Sequence, residues 1–206
     1  MPLRRLGAVL VLAATALTVG AFALRGHGPE KQPVASSSSV AAPSGIDVHF
    51  AGMMIVHHAQ AVRMSRELVA KPGVPERVRL IAEFIARDQQ REIDETNAWL
   101  TAWGEQPVDA AGPDGTGIHA GADAAAHGML TEARLRELDR AEGGKAANLF
   151  LRLMIEHHRG AITMSRSLLD AGGRNVYIHG MAKHVIREQT AENDAMRALL
   201  PAQDTP

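Results

Sequence analysis

Apolar residues recur in steps of four and three along two neighbouring stretches of the chain. Phe50, Met54, His57, Ala61, Met64 and Leu68 share one face of a predicted helix, and Val78, Ala82, Ile85, Gln89, Glu92, Thr96, Trp99 and Trp103 share a face of a second. Pro72-Gly73 separates them, Pro75 suits a helix start, and Gly104 ends the second helix. The stretch therefore predicts a helical hairpin. The same pattern returns one hundred residues later. Shifting by 100 positions lays 50–100 on 150–200 without a gap, and eighteen of the 51 aligned positions are identical, concentrated in Met, His and Ser. Ile178, Ala182, Val185, Gln189, Glu192, Met196 and Leu199 answer the second face, with Gly172-Gly173 at the turn and Pro201 at the end.

Two such hairpins bury their seams by pairing, which predicts an all-α four-helix bundle with a long crossover connection. The reading gives one domain over 46–200: repeat one at 47–103, the connection at 104–145 with a short helix over Thr131 to Ala141, and repeat two at 146–200. His119 and His127 lie in the Gly- and Ala-rich part of the connection.

The seams carry polar side chains where a bundle needs its core. With the turn centred near 72–73, His57 stands opposite 88–89 and Met54 opposite Glu92. The same arithmetic puts His157 beside Gln189 and Met154 beside Glu192. Burying such groups without partners costs about 1–3 kcal/mol for each neutral one. Either a closed hydrogen-bond network, with His57 held by Gln89 or Glu92, or a bound metal compensates them. A metal accounts at once for two His-His pairs, four repeated methionines and the matched carboxylates. The candidate ligands are Met54, His57, His58 and Met64, then Met154, His157, His158 and Met164. Gln89, Glu92, Gln189 and Glu192 are expected behind them, orienting the imidazoles. His58 and His158 flank the seam and either complete a site or face solvent; Met64 and Met164, about two turns along from Met54 and Met154, are ligands or packing. Met53, Met129, Met181, His49, His179 and His184 are accessory donors. Thioether with imidazole suits copper, Met favouring Cu(I) and His accepting Cu(I) or Cu(II).

Composition narrows the setting. The chain has no cysteine, which removes thiolate ligands, disulfides and a lipidated cysteine. Aromatics are 3% of residues, too few for a strand-rich fold, and a formal charge of −1 gives no basic stripe for nucleic acid. Arg4 and Arg5 followed by the uncharged run Leu6 to Leu24 read as a signal peptide over 1–24, with Ala21-Phe22-Ala23 as its cleavage site, or else as an uncleaved anchor. Residues 25–45, with Pro29, Pro33, Ser36 to Ser39 and Pro43, read as a flexible tether. The expected location is therefore secreted or periplasmic, with a membrane partner only if the anchor persists.

The two Met-x-x-His-His-x-x-Ala-x-x-Met runs, each followed by Gln-x-x-Glu, resemble the domain-of-unknown-function family numbered 305. The matching residues are Met54, His57, His58, Ala61, Met64, Gln89 and Glu92, then Met154, His157, His158, Ala161, Met164, Gln189 and Glu192. The resemblance covers about residues 45 to 200. It implies a ferritin-like four-helix bundle, often secreted, with some relatives acting as periplasmic copper-binding proteins. One position departs from the pattern: Ala147 stands where the first repeat has Asp47.

The resulting expectation is an extracytoplasmic protein that binds or buffers copper. The alternatives are a carboxylate-type iron bundle, a haem-binding bundle without a Cys-x-x-Cys-His attachment site, and an interaction module with no metal. No Ser-His-Asp arrangement and no phosphate-cradling glycine loop point to an enzyme.

Overall fold

Helix α1 (Gly45–Val69) begins at a capping box, in which the Ser44 hydroxyl accepts the Asp47 N–H and the Asp47 carboxylate accepts the Ser44 N–H at 2.8 Å. These are features of a computed structural model that describes residues 41–109 and 127–200. The segment read as signal or anchor, most of the tether, and His119 in the connection lie outside the described residues. A tight turn through Gly73, at φ 71°, leads past Pro75 into α2 (Glu76–Ala102). After the connection, α3 (Glu132–Arg140) starts at a Thr131 cap, and α4 (Gly143–Ala171) begins ahead of the boundary read from the repeat. Gly172, at φ 77°, closes α4 in the left-handed conformation that glycine adopts without strain. Asn175 then caps α5 (Val176–Leu199), its side-chain oxygen accepting from Tyr177 and Ile178 N–H.

The regular elements among the described residues are all helices, as the periodicity predicts. α1 pairs with α2, α4 pairs with α5, and the two hairpins join mainly through α1 against α4. That central pair is antiparallel. The Arg174 N–H, just beyond α4, donates to Asp47 at the start of α1, while Gly73 beyond the end of α1 touches Gly143 at the start of α4. α2 and α5 also run antiparallel where they meet: Trp99 stacks on Tyr177, the Thr96 hydroxyl lies 3.6 Å from the Met181 sulfur, and Glu92 reaches His184. The two hairpins are thus related by an approximate twofold.

Two apolar clusters fill the bundle. One gathers Met64, Leu68, Ile85, Phe150, Leu153 and Met154; the other gathers Phe50, Met54, Ile55, Met164, Leu168 and Val185. On α1 and α4 the histidine pairs fall between the stretches that feed these clusters. The end of the connection is fastened beside this level. Gln60 clamps Leu130 through both backbone groups, at 2.7 and 3.0 Å, and the His127 carbonyl and Gly128 pack on Gly160. Gln60 and Gly160 are equivalent positions of the two repeats, used in opposite ways: one reaches out, the other leaves room.

Candidate metal centre

His57 from α1 and His157 from α4 meet where the two hairpins join. Their ring centroids are 3.7 Å apart with planes inclined by 33°. Both residues are buried, and none of the four ring nitrogens makes a hydrogen bond of good geometry, the His127 backbone being only a weak neighbour of His57. Burial first, and then the charges of neighbouring imidazoles, push both pKa values well below the usual 6.5. Both rings are therefore neutral near pH 7. A neutral imidazole keeps one nitrogen lone pair, so the pair offers two unclaimed donor lone pairs inside the protein.

His58 and His158 occupy a different face. One residue is about 100° of helix rotation, so a helix that directs His57 at α4 directs His58 at α2. His58 Nε2 lies 2.7 Å from Glu92 Oε2, and His158 Nε2 lies 2.7 Å from Glu192 Oε2. An ionised carboxylate only accepts, so each Nε2 carries a proton, and in the neutral form of the ring Nδ1 carries the lone pair. Both Nδ1 atoms are buried without partners. Centroids of His57 and His58 are 6.4 Å apart, as are those of His157 and His158, which makes a row of four imidazoles with a carboxylate at each end. Burial pushes the Glu92 carboxyl up, but the hydrogen bond from His58 and the charges of His58, His184 and Arg91 bring it below its usual 4.5.

This corrects two sequence expectations. His57 makes no hydrogen bond with Gln89 or Glu92, and of the two alternatives for His58 and His158, facing solvent is removed because both are fully buried. α1 and α4 each have two partner helices, so adjacent histidines serve adjacent interfaces, which a single seam per hairpin does not express. Gln89 and Gln189 are buried as expected, yet both polar atoms of the Gln89 amide and the oxygen of Gln189 lack partners, as do the Ser65 and Ser165 hydroxyls.

The methionines bracket the histidine level. Met54 and Met154 are fully buried, one helical turn before the His-His pairs. Met54 shares its cluster with Met164, and Met64 shares the other with Met154. Of the accessory donors, Met53 is buried, Met181 faces Thr96, Met129 and His179 are half-buried, and His49 is exposed. His184 matters more than its place among them implied, because its Nε2 lies 3.0 Å from the free oxygen of Glu92. The repeat alignment carried that signal, since the equivalent residue is Phe84.

Asp47 lies away from the histidine row. Besides capping α1 it accepts the Arg174 N–H at 3.2 Å, tying the α4–α5 turn to the start of α1. Ala147 is buried at the corresponding place on α4, where that helix runs on to Gly143 and has no side-chain cap. The departure at Ala147 therefore alters an end of the bundle, and both His–Glu pairs keep the same 2.7 Å geometry.

The profile of a domain of unknown function, DUF305, matches residues 47–200. The chain belongs to the DUF305 family. Solved structures agree. A DUF305 fragment from Deinococcus radiodurans superimposes with a TM-score of 0.67 at 26% identity, covering 77% of this chain and 97% of that one. A DUF305 protein from Streptomyces coelicolor, described as secreted, gives 0.62 at 30% identity, with 75% and 91% covered. CopM in its Cu(I)-bound form gives 0.56 at 29% identity, with 74% and 93% covered. CopM is also known in Ag-bound and apo forms. No curated protein matches this DUF305 chain. Among its described residues, no helix is long and apolar enough to cross a membrane.

Proposed function

We propose that this DUF305 protein binds copper outside the cytoplasm, as Cu(I), through the buried imidazoles and thioethers between its two hairpins. The observation that carries the reading is the set of orphaned nitrogens. Both nitrogens of His57 and His157 and the Nδ1 of His58 and His158 are buried without a well-formed hydrogen bond, the weak approach of the His127 backbone to His57 aside. An unmade bond of this kind costs about 1–3 kcal/mol, so six such atoms in repeat-related pairs are poor evidence of a structural role and good evidence of a ligand. Their donor chemistry fits a soft cation, with imidazoles from His57, His58, His157 and His158 and thioethers from Met54 and Met154. Met64 and Met164 are available beyond them. Glu92 and Glu192 hold His58 and His158 in the tautomer that frees Nδ1, the arrangement that carboxylates impose on metal-bound histidine. The Cu(I)-bound state of CopM, a structural neighbour, supports the choice of metal.

A carboxylate-type iron centre draws less support. Such bundles use about four glutamates with two histidines, whereas the carboxylates bonded to this row are Glu92 and Glu192. Anaerobic titration of the purified domain against a chromophoric Cu(I) chelator tests the proposal. Wild type should take Cu(I) from the chelator, and His57→Ala/His157→Ala should not. Equal uptake by both, or by neither, contradicts it.

A further inference from the structure

The Glu92 carboxylate has two oxygens with different neighbours. Oε2 accepts from buried His58, and Oε1 turns outward to His184 Nε2 on α5. Asp88 stands one turn before Glu92 on α2, and one donor atom each from Asp88, Glu92 and His184 lie within 4.8 Å of one another. We propose that these three residues form a second cation site, at the α2–α5 junction, that takes a borderline divalent ion such as Zn²⁺.

The donor set distinguishes it from the histidine row. Two carboxylates and one imidazole suit a divalent ion that accepts oxygen and nitrogen. The junction is open on one side, with side-chain exposures of 22% for Asp88 and 34% for His184 against 10% for Glu92. Three protein ligands with an open side leave a position for water.

The second repeat is the internal control. The register that sets Glu92 against His184 sets Glu192 against Phe84, whose ring offers no donor and is 46% exposed. Glu188 replaces Asp88 in that half. The chain therefore keeps the His–Glu pair in both repeats and completes the outer triad in one.

Without the ion, two arginines hold the outer ligands: Arg91 pairs with Asp88, and Arg187 lies 2.8 Å from His184 Nδ1. Both are well exposed, at 54% and 69%, and are free to swing into solvent. Cation binding removes the proton from His184 Nε2, places one on Nδ1, and displaces Arg187. Arg187→Ala should accordingly strengthen binding.

Calorimetric titration with zinc chloride at pH 7 tests the site in a His57→Ala/His157→Ala background, so that the result does not depend on the copper proposal. That background should bind one Zn²⁺ at the junction. His184→Phe should weaken it by more than the roughly 10- to 100-fold that loss of an outer partner costs, and Phe84→His should add a second Zn²⁺ of comparable affinity. Both substitutions exchange residues that the two repeats already accommodate at this position, and circular dichroism verifies that each variant folds. Absence of Zn²⁺ binding, or binding unchanged by His184→Phe, overturns the proposal.

Discussion

The imidazoles of His57 and His157 meet at 3.7 Å, tilted by 33°, in the middle of the bundle, and neither makes a hydrogen bond of good geometry. A core designed only for stability would not place them there. Replacing both with leucine, of similar bulk, should make the metal-free protein more stable by about 1–3 kcal/mol, the cost of leaving buried polar groups unpaired. Urea denaturation checks the gain. The same variant should show no copper-dependent rise in Tm, and a loss of metal-free stability would mean the histidines are structural.

Acid should destabilise the metal-free bundle in two windows. His57 and His157 have folded pKa values well below 6.5, so between that value and the lower folded one the unfolded chain binds more protons. Stability is then unaffected above pH 6.5 and falls below it, by at most about 1.4 kcal/mol per pH unit for each imidazole. Burial pushes the Asp47 carboxyl up, but hydrogen bonds from the Ser44 side chain and from the Ser44, Arg174 and Asn175 backbones bring it below 3.8. Its contribution is full above 3.8 and is lost as the pH falls through the lower folded value. Denaturation midpoints between pH 8 and 3 should flatten in the upper window for the double leucine variant and in the lower window for Asp47→Asn.

Glu92 and Glu192 should prove equivalent towards the row, because each meets its histidine at 2.7 Å. Glu92→Ala and Glu192→Ala should each lower Cu(I) affinity by about 10- to 100-fold, as losing the group that orients a ligating histidine does. Chelator competition measures it. Only the Glu92 substitution should also remove Zn²⁺ binding at the junction.

Gly160 should tolerate no side chain. A Cβ there would lie 2.1 Å from the His127 carbonyl oxygen and 2.6 Å from Gly128 Cα, both backbone atoms. Gly160→Ala should cost about 1–3 kcal/mol through overpacking and raise hydrogen exchange at the Leu130 amide, which Gln60 holds.

The helices, their stops and the two hairpins were legible because they are local: heptad-like steps, Pro75, Gly104 and Gly172 write them into short windows. The repeat added the pairing of hairpins and the burial of Met54, His57 and Gln89 with their equivalents, and of Glu92. What stayed hidden depends on which neighbour a helix face meets. His57 and His58 are adjacent in sequence, and only the placement of α4 and α2 on either side of α1 assigns one to the stack and the other to Glu92. The docking of His127 and Leu130 on Gly160 and Gln60 spans loops with no periodicity. His184 was in plain view as a break in the repeat, since Phe84 cannot do what it does.

Copper K-edge absorption of the Cu(I)-loaded protein tests the central claim most directly, because it reads the atoms bound to the metal. The wild type should show imidazole nitrogen together with sulfur around Cu(I), and the imidazole scattering should disappear in His57→Ala/His157→Ala. A wild-type spectrum without imidazole, or one unchanged in that variant, would contradict a site built between the two hairpins.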